Sequence, residues 1–543
     1  MRQIHSLFIA AILTLGLVFC GKPDTTTTPD PIVTPTPTPT PTPVDNSDKG
    51  LMDKTQKNTF KYFWDFGHPT SGMARERTTS GETVTTGGTG FGVMAIVTAA
   101  SRGWITRPQA VERLTKLTNF LEKADRFHGV WPHWMNGTTG KVIPFSAKDN
   151  GGDLVETSFM VAGLLTAREY FSSGDAAEVA LREKIKTLWE TVEWKWHISN
   201  GSLYWHWSPT VDFAMNFKLR GYNEALITYV LALASPTQAI PINIYETTWK
   251  SGGDFLRTQD YFGYKLDIGP PYGGPLFFVH YSFLGLDPRQ MKDQHTYYWK
   301  HATNTTLINR AYCIEKAPKE YNYSEKNWGL TSSDDPSGYS DHSPQTGRDN
   351  GTIAPTAALS SFPYTPYYSM LALKNFESDS RLSGPFGFLD AYNKKANWYG
   401  QDHIAIDQGP IVVMMENYRS GLIWKTFMNI PEIKSALAKM NILKPQFVTG
   451  FQYAYIETNN KLFDMMKHPD LGKYEIDYFV ADSGNTTIDL MDEKGDTVVK
   501  NLMTSQAVAG ANILSFGDGV SEGKYQIRLT VGSKVEKLAV WLH

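Results

Sequence analysis

From about Leu51 to about Leu471 the apolar residues recur at helical spacing, and after about Tyr474 they change to short runs of strand character. One chain therefore has to satisfy two packing schemes. We expect an all-α domain over residues 49–470 and a small all-β domain over 471–543. Helical runs cover Leu51–Phe66, Pro108–Lys123, Leu154–Phe171, Ala176–Trp194, Glu224–Ala234, Pro410–Tyr418 and Pro431–Met440, three of them opened by proline at an N-terminal position. Long polar connections such as 263–274 and 328–355 separate them, and connections of that length inside a compact domain are uncommon unless they carry function. Many helices with long loops suggest an α/α toroid, although periodicity alone also permits an irregular helical domain. The last part holds six short β-type runs between turn signals such as Ser483-Gly484-Asn485 and Gly517-Asp518-Gly519, which reads as a small antiparallel sandwich.

The first 48 residues do not belong to either scheme. Arg2 precedes an apolar run from Leu7 to Phe19, too short to span a bilayer, and Cys20 follows it. This resembles a bacterial lipoprotein signal over 1–20 with Cys20 as the acylated residue, with Phe19 where a small residue is usual; a plain signal peptide cut elsewhere is the alternative. Residues 21–48 are rich in Pro and Thr, a semi-rigid stalk. We expect a chain lipid-anchored in the bacterial outer membrane, facing the periplasm or the cell surface, and monomeric.

Charge narrows the partners. With 52 basic and 55 acidic residues the chain carries −3, so it lacks the basic footprint that phosphate neutralisation requires, and nucleic acid is excluded as a partner. Only Cys20 and Cys313 are present, which rules out an internal disulfide in the mature fold and any cysteine-based metal site. Aromatic residues make up 13% of the chain, and fourteen of the fifteen tryptophans fall between Trp64 and Trp424. That excess serves either a heavily aromatic core or stacking platforms for a ligand with apolar faces.

Four acidic constellations stand out. In Asp149-Asn150-Gly151-Gly152-Asp153-Leu154-Val155-Glu156, Asp153 and Glu156 have capping-box spacing, so they either tie off a helix or line a cleft that binds hydroxyls. Glu224, after Arg220-Gly221-Tyr222-Asn223, stands at a helix start near Trp205, His206 and Trp207; it is either favoured there by the helix dipole or a carboxyl whose pKa aromatic neighbours raise, as suits a general acid. Asp407 precedes Gly409-Pro410, and Glu416, Tyr418 and Arg419 follow; capping and an i, i+3 surface pair are the plainer reading. The loop with Asp334, Asp335, His342, Arg348, Asp349 and Asn350 offers oxygen ligands but lacks the regular spacing of a calcium loop. The tract Trp131-Pro132-His133-Trp134 reads as a stacking wall, with core as the alternative. Gly87-Gly88-Thr89-Gly90-Phe91-Gly92 has no preceding strand and no nucleotide-binding context. Zinc-protease and serine-hydrolase signatures are absent from the sequence. Paired carboxyls at loop–helix junctions among aromatics are the minimum set for glycoside hydrolysis.

The segments 149–157, 220–224, 349–358 and 406–421 resemble the bacterial β-1,2-glucanases of glycoside hydrolase family 144, long called glucoamylase-like, over roughly residues 51–465. The resemblance implies an inverting hydrolase on an (α/α)6 toroid that cleaves β-1,2-glucan, either internally or by releasing sophorose, with no cofactor and no metal. It places the general acid at Glu224 and the general base at Asp407, with Asp402 or an acid of the 149–156 cluster in reserve. Substrate contacts then fall to Asp149, Asp153, Glu156, Trp131, His133, Trp134, His206, Tyr222, Trp328, His342, Glu416, Tyr418 and Arg419. Related domains in cyclic β-1,2-glucan synthases transfer rather than hydrolyse. An α-glucan glucoamylase and a non-catalytic surface glycan-binding lipoprotein are the competing readings.

Overall fold

A computed structural model describes residues 48–251, 255–345, 347–444, 460–467, 473–481, 483–507, 509–517 and 519–542. The signal segment, Cys20 and the stalk up to residue 47 lie outside the described residues, and Asp48, placed at the end of the stalk, opens the first helix.

The helices are α1 Asp48–Trp64, α2 Thr86–Ser101, α3 Arg107–Leu121, α4 Leu154–Tyr170, α5 Ala176–Glu190, α6 Leu226–Ala234, α7 Tyr298–Ala311, α8 Pro355–Leu359, α9 Pro366–Glu377, α10 Ala405–Arg419, α11 Leu422–Met428 and α12 Pro431–Lys439. They sort by burial into two layers. In α2, α6 and α10 nearly every residue is buried, as is α4 from Leu154 to Ala167. By contrast α3 buries Ala110, Val111, Leu114, Leu117, Thr118 and Leu121, and α5 buries Leu181, Ile185 and Leu188: one stripe each, at helical spacing. The stripe-bearing helices pack around the fully buried ones and leave their polar faces outward.

Inner helix α2 is the glycine-rich tract, and it explains why those glycines are there. A Cβ on Gly90 would run into the Phe159 carbonyl of α4, and one on Gly163 would run into the Gly90 carbonyl. Bare backbone on both sides lets α2 and α4 touch main chain to main chain. On its other flank a Cβ on Gly88 would meet Ala405 of α10. The tract is thus a packing seam, and its poor helix propensity is offset by burial.

Two of the starts beside candidate acids differ from those the spacing suggests. The helix assigned to Glu224–Ala234 begins at Leu226, so Glu224 stands just ahead of it. The helix assigned to Pro410–Tyr418 begins at Ala405 with Pro410 inside, which moves Asp407 from a capping position into the first turn. For Asp153 the expectation of an N-cap is met: its Oδ1 accepts from the amides of Val155 and Glu156. The reciprocal half of the capping box is not made, because the Asp153 amide donates to the Trp131 carbonyl and Glu156 turns elsewhere.

The C-terminal part holds β1 Lys461–Lys467, β2 Tyr474–Val480, β3 Gly484–Met491, β4 Val498–Ala507, β5 Gly510–Phe516, β6 Gly523–Val531 and β7 Lys534–Leu542. They form antiparallel sheets of order β1-β2-β5 and β4-β3-β6-β7 that share one apolar core including Ile476, Ile488, Leu490 and Ile527. Strand β1 precedes residue 471, where the texture of the sequence puts the start of this part. Trp541 of β7 packs against the core of the helical body, and Lys524 of β6 stands 3.5 Å from Asp48 at the head of α1.

Candidate functional site

The starts of α2, α4 and α6, the segment 277–281 and the residues opening α10 converge on one cavity of about 320 Å³. Its walls include Thr85, Glu156, Glu224, Phe277, Tyr281 and Ile406, so each inner element contributes its N-terminal end. Helix N-termini present unpaired amides, which favour carboxylates there. Aromatic side chains surround the acids. Trp134 and Trp205 line the cavity, and half-exposed Phe145 stacks on His133 with ring centroids 4.4 Å apart. A hairpin pairing Ser333–Asp335 with Gly338–Ser340 brings Tyr339 to the wall, so part of the long 328–355 connection borders the cavity.

Two of the acids are forced toward their neutral forms. Burial pushes the Glu224 carboxyl up to about 8, helped by the charges of Asp341, Glu156 and Asp153 and opposed by its own backbone amide. The carbonyl of Glu224 accepts from the Ser282 hydroxyl, which fixes the residue in the turn ahead of α6. Burial lifts Glu156 to about 7 against the pull of His133, and its Oε2 accepts from the Gly87 amide at 2.7 Å. A Cβ on Gly87 would stand 2.6 Å from that oxygen, so this hydrogen bond needs glycine. The signal was in the sequence, because Gly87 opens the tract whose role had no sequence-level explanation.

Beside Glu156 sits a ring of two imidazoles and two carboxyls. His133 Nδ1 lies 3.1 Å from Asp153 Oδ2 and 3.7 Å from Asp149 Oδ2, while His206 Nε2 lies 3.5 Å and 3.4 Å from the same two oxygens. Burial would raise Asp153, yet its bonds with His133 and His206 hold its carboxyl well below the usual range. The short ladder pairing Asp153 with His206 sets this arrangement.

Asp407 occupies different ground. It is 1% exposed and absent from the cavity wall; burial, then the neighbouring Asp390 carboxyl, raise it far above the ordinary range. Asp390 is itself pushed up to about 7 by burial and by Asp334. Neither carboxyl oxygen of Asp407 has a hydrogen-bond partner among the described residues, so burial and the neighbouring charge favour its neutral form. Asp402 is held by the Thr78 hydroxyl at 2.5 Å and the Thr79 amide at 3.0 Å, beside Arg77. Sequence reasoning missed Glu76 and Arg77, which line the cavity. Arg77 binds Glu76 and Asp334 at 3.0 Å, a pairing between neighbours and a distant loop that no motif reports.

Several expected wall residues belong elsewhere. Trp131 is fully buried, donates its indole N–H to the Leu121 carbonyl and carries the Arg126 guanidinium over its face, so it is core. Trp328 is also fully buried in the core, and Tyr222 is buried against Trp249 and His301. His342 is buried beneath its own loop, with Nδ1 3.2 Å from the Arg348 carbonyl. Glu416, Tyr418 and Arg419 end α10, about 13–18 Å along the axis from Asp407 at 1.5 Å per residue. There Glu416 binds Arg102 at 2.7 Å, Arg419 binds Gln56 and Asp53, and Tyr418 packs on Phe362; these contacts hold helices together.

The Glycoamylase family model, a glucoamylase description, matches residues 216–431. The endo-β-1,2-glucanase of Chitinophaga pinensis, solved with sophorotriose and glucose, is 50% identical; the match covers 74% of this chain and 99% of that one, with a TM-score of 0.72. The chain belongs to the glucoamylase-like family, whose members include such β-1,2-glucanases. Within that family, the exo β-1,2-glucooligosaccharide sophorohydrolase of Parabacteroides distasonis is 44% identical over 422 residues, and the alignment spans 73% of this chain but only 58% of that relative. At 12% identity and a TM-score of 0.55, the endo-β-1,2-glucanase of Talaromyces funiculosus shares the fold.

Proposed function

We propose that this chain is an inverting glycoside hydrolase of family 144, built on an (α/α)6 toroid, that cleaves β-1,2-glucan. The observation that carries this reading is the pair Glu156 and Glu224, two buried carboxyls in one aromatic-lined cavity whose affinities for protons are set apart by their surroundings. Glu224, buried and facing only acids among its charged neighbours, keeps its proton and donates it to the glycosidic oxygen as the bond breaks. Glu156, beside His133, loses its proton first and draws one from the attacking water. Asp407 enters this reading as a buried neutral group behind the wall, since burial and the Asp390 carboxyl favour its protonated form and it does not line the cavity. Trp134, Phe145 and Trp205 present faces on which sugar rings stack. The lipid anchor at Cys20 belongs to the same proposal: a tethered enzyme acting on glucan outside the cytoplasm.

Incubation of the purified chain with β-1,2-glucan and, separately, with starch tests the reading. Reducing ends are expected from the first only, with sophorose or a ladder of oligosaccharides on chromatography. Reducing ends from starch alone, or from neither, would overturn it. Proton NMR of the first product tests the stereochemistry, and inversion requires the newly formed α-anomer at early times.

A further inference from the structure

We propose that Trp196, backed by His128 and Trp207, is a stacking platform outside the cavity that holds a further stretch of the glucan chain. The proposal rests on the reading of the cavity as a β-1,2-glucan cleft. Trp196 is 44% exposed, whereas Trp194 and His197 of the same one-turn helix are fully buried. Its neighbours anchor the turn and leave this indole outward. One face of the indole is covered, because the His128 ring lies parallel to it with centroids 3.6 Å apart. Trp207 meets both rings edge-on, 4.9 Å from His128 and 6.2 Å from Trp196. The opposite face of Trp196 is the one left to solvent.

The backing is itself held in place. His128 has φ +51°, a left-handed conformation that costs free energy in a residue other than glycine and persists where its surroundings impose it. Glu193 imposes it from two sides: its amide donates to the His128 carbonyl at 3.1 Å, and its Oε2 lies 3.2 Å from His128 Nδ1. The platform is therefore fixed before a ligand arrives, which lowers the ordering cost of binding.

Its place in the fold points to the occupant. Helix α4 starts at the cavity, and after the short connection 171–175 helix α5 packs back against it, so the end of α5 and the 194–197 turn return to the cavity side. Trp205 lines the cavity, and the backbone of Trp207, two residues on, is within about 7 Å of it. A cavity of about 320 Å³ encloses only a short stretch of a polymer, and a chain leaving it beside Trp205 meets the platform next. A pyranose ring offers an apolar C–H face to the indole and hydroxyls around its edge. Glu193 and Lys195, both exposed and of opposite charge, flank Trp196 in sequence and suit a neutral polysaccharide better than a charged one.

Affinity electrophoresis through gels cast with β-1,2-glucan tests the platform, using Glu224→Gln so that the polymer is not digested. Adding Trp196→Ala, with folding checked by circular dichroism, should weaken retardation by about 3- to 10-fold, and Trp196→Phe should restore most of it. In the otherwise wild-type chain Trp196→Ala should raise KM on the polymer by a similar factor and change kcat/KM on a β-1,2-linked tetrasaccharide by less than twofold. Equal retardation with and without the indole would overturn the proposal. So would a matching loss on the tetrasaccharide, or a Trp196→Ala chain that passes from dimer to monomer on gel filtration, which would assign the face to a second copy. A wild-type chain that leaves β-1,2-glucan uncut would sink the hydrolase reading instead, and retardation would still decide the platform.

Discussion

At the scale of single residues the decisive one is Glu224. Its carboxyl, raised by burial to about 8 from an ordinary 4.5, stays protonated in the folded chain while the unfolded chain ionises. The stability tied to that proton is complete below about 4.5 and is lost as pH rises through about 8. Glu224→Gln keeps a neutral group, so its Tm should equal that of the wild type near pH 4.5 and exceed it by a few degrees at pH 8, read by scanning calorimetry. The same variant should lose about 10²- to 10⁴-fold in kcat on β-1,2-glucan, as expected for removal of a general acid. In the wild type, kcat/KM should fall above about pH 8 as Glu224 ionises. A wild-type rate in Glu224→Gln would refute the assignment. The sequence made Glu224 legible because aromatic neighbours and a helix start leave a trace along the chain. It did not make Asp407's surroundings legible, because Asp390 and Asp334 reach it only through the fold.

At the scale of elements, the contact of α2 with α4 sets the position of Glu156. Helical periodicity identified α1, α3, α4 and α5, whose apolar faces repeat clearly. It passed over α2, because a helix of glycine, threonine and small apolar residues buried on every side has no stripe to detect. Gly90→Ala should destabilise the fold by about 1–3 kcal/mol, measured by denaturant unfolding, since the new methyl meets the Phe159 carbonyl in a packed core. Gly87→Ala places its methyl against the Glu156 carboxylate. It should lower kcat more than it lowers Tm, and equal loss in both would argue that Gly87 serves packing alone.

At the scale of the whole molecule, the two folded parts are joined through side chains that sequence reading could not assign. Trp541 is the one tryptophan of the chain beyond Trp424. Its indole rests against the helical core, in a small crevice bordered by Trp299, Trp424 and Tyr474. Trp541→Ala should cost about 2 kcal/mol in stability and leave kcat on soluble β-1,2-glucan within twofold of the wild type. A selective loss of binding to insoluble glucan would instead assign this tryptophan to the substrate. The anchor is testable separately: Cys20→Ser should move the protein from the membrane fraction to the soluble one.

The meeting of Asp48 with Lys524 has a mechanical side. Lys524 pairs across the sheet with Trp541, so the head of the first helix and the last strand are neighbours. A pull on the chain ahead of Asp48 is met first at that seam, where charged and aromatic side chains join α1 to β6 and β7. The inner helices that hold Glu156 and Glu224 lie deeper along the load path. With Cys20 anchored as proposed, a tug on the chain would strain this hem first.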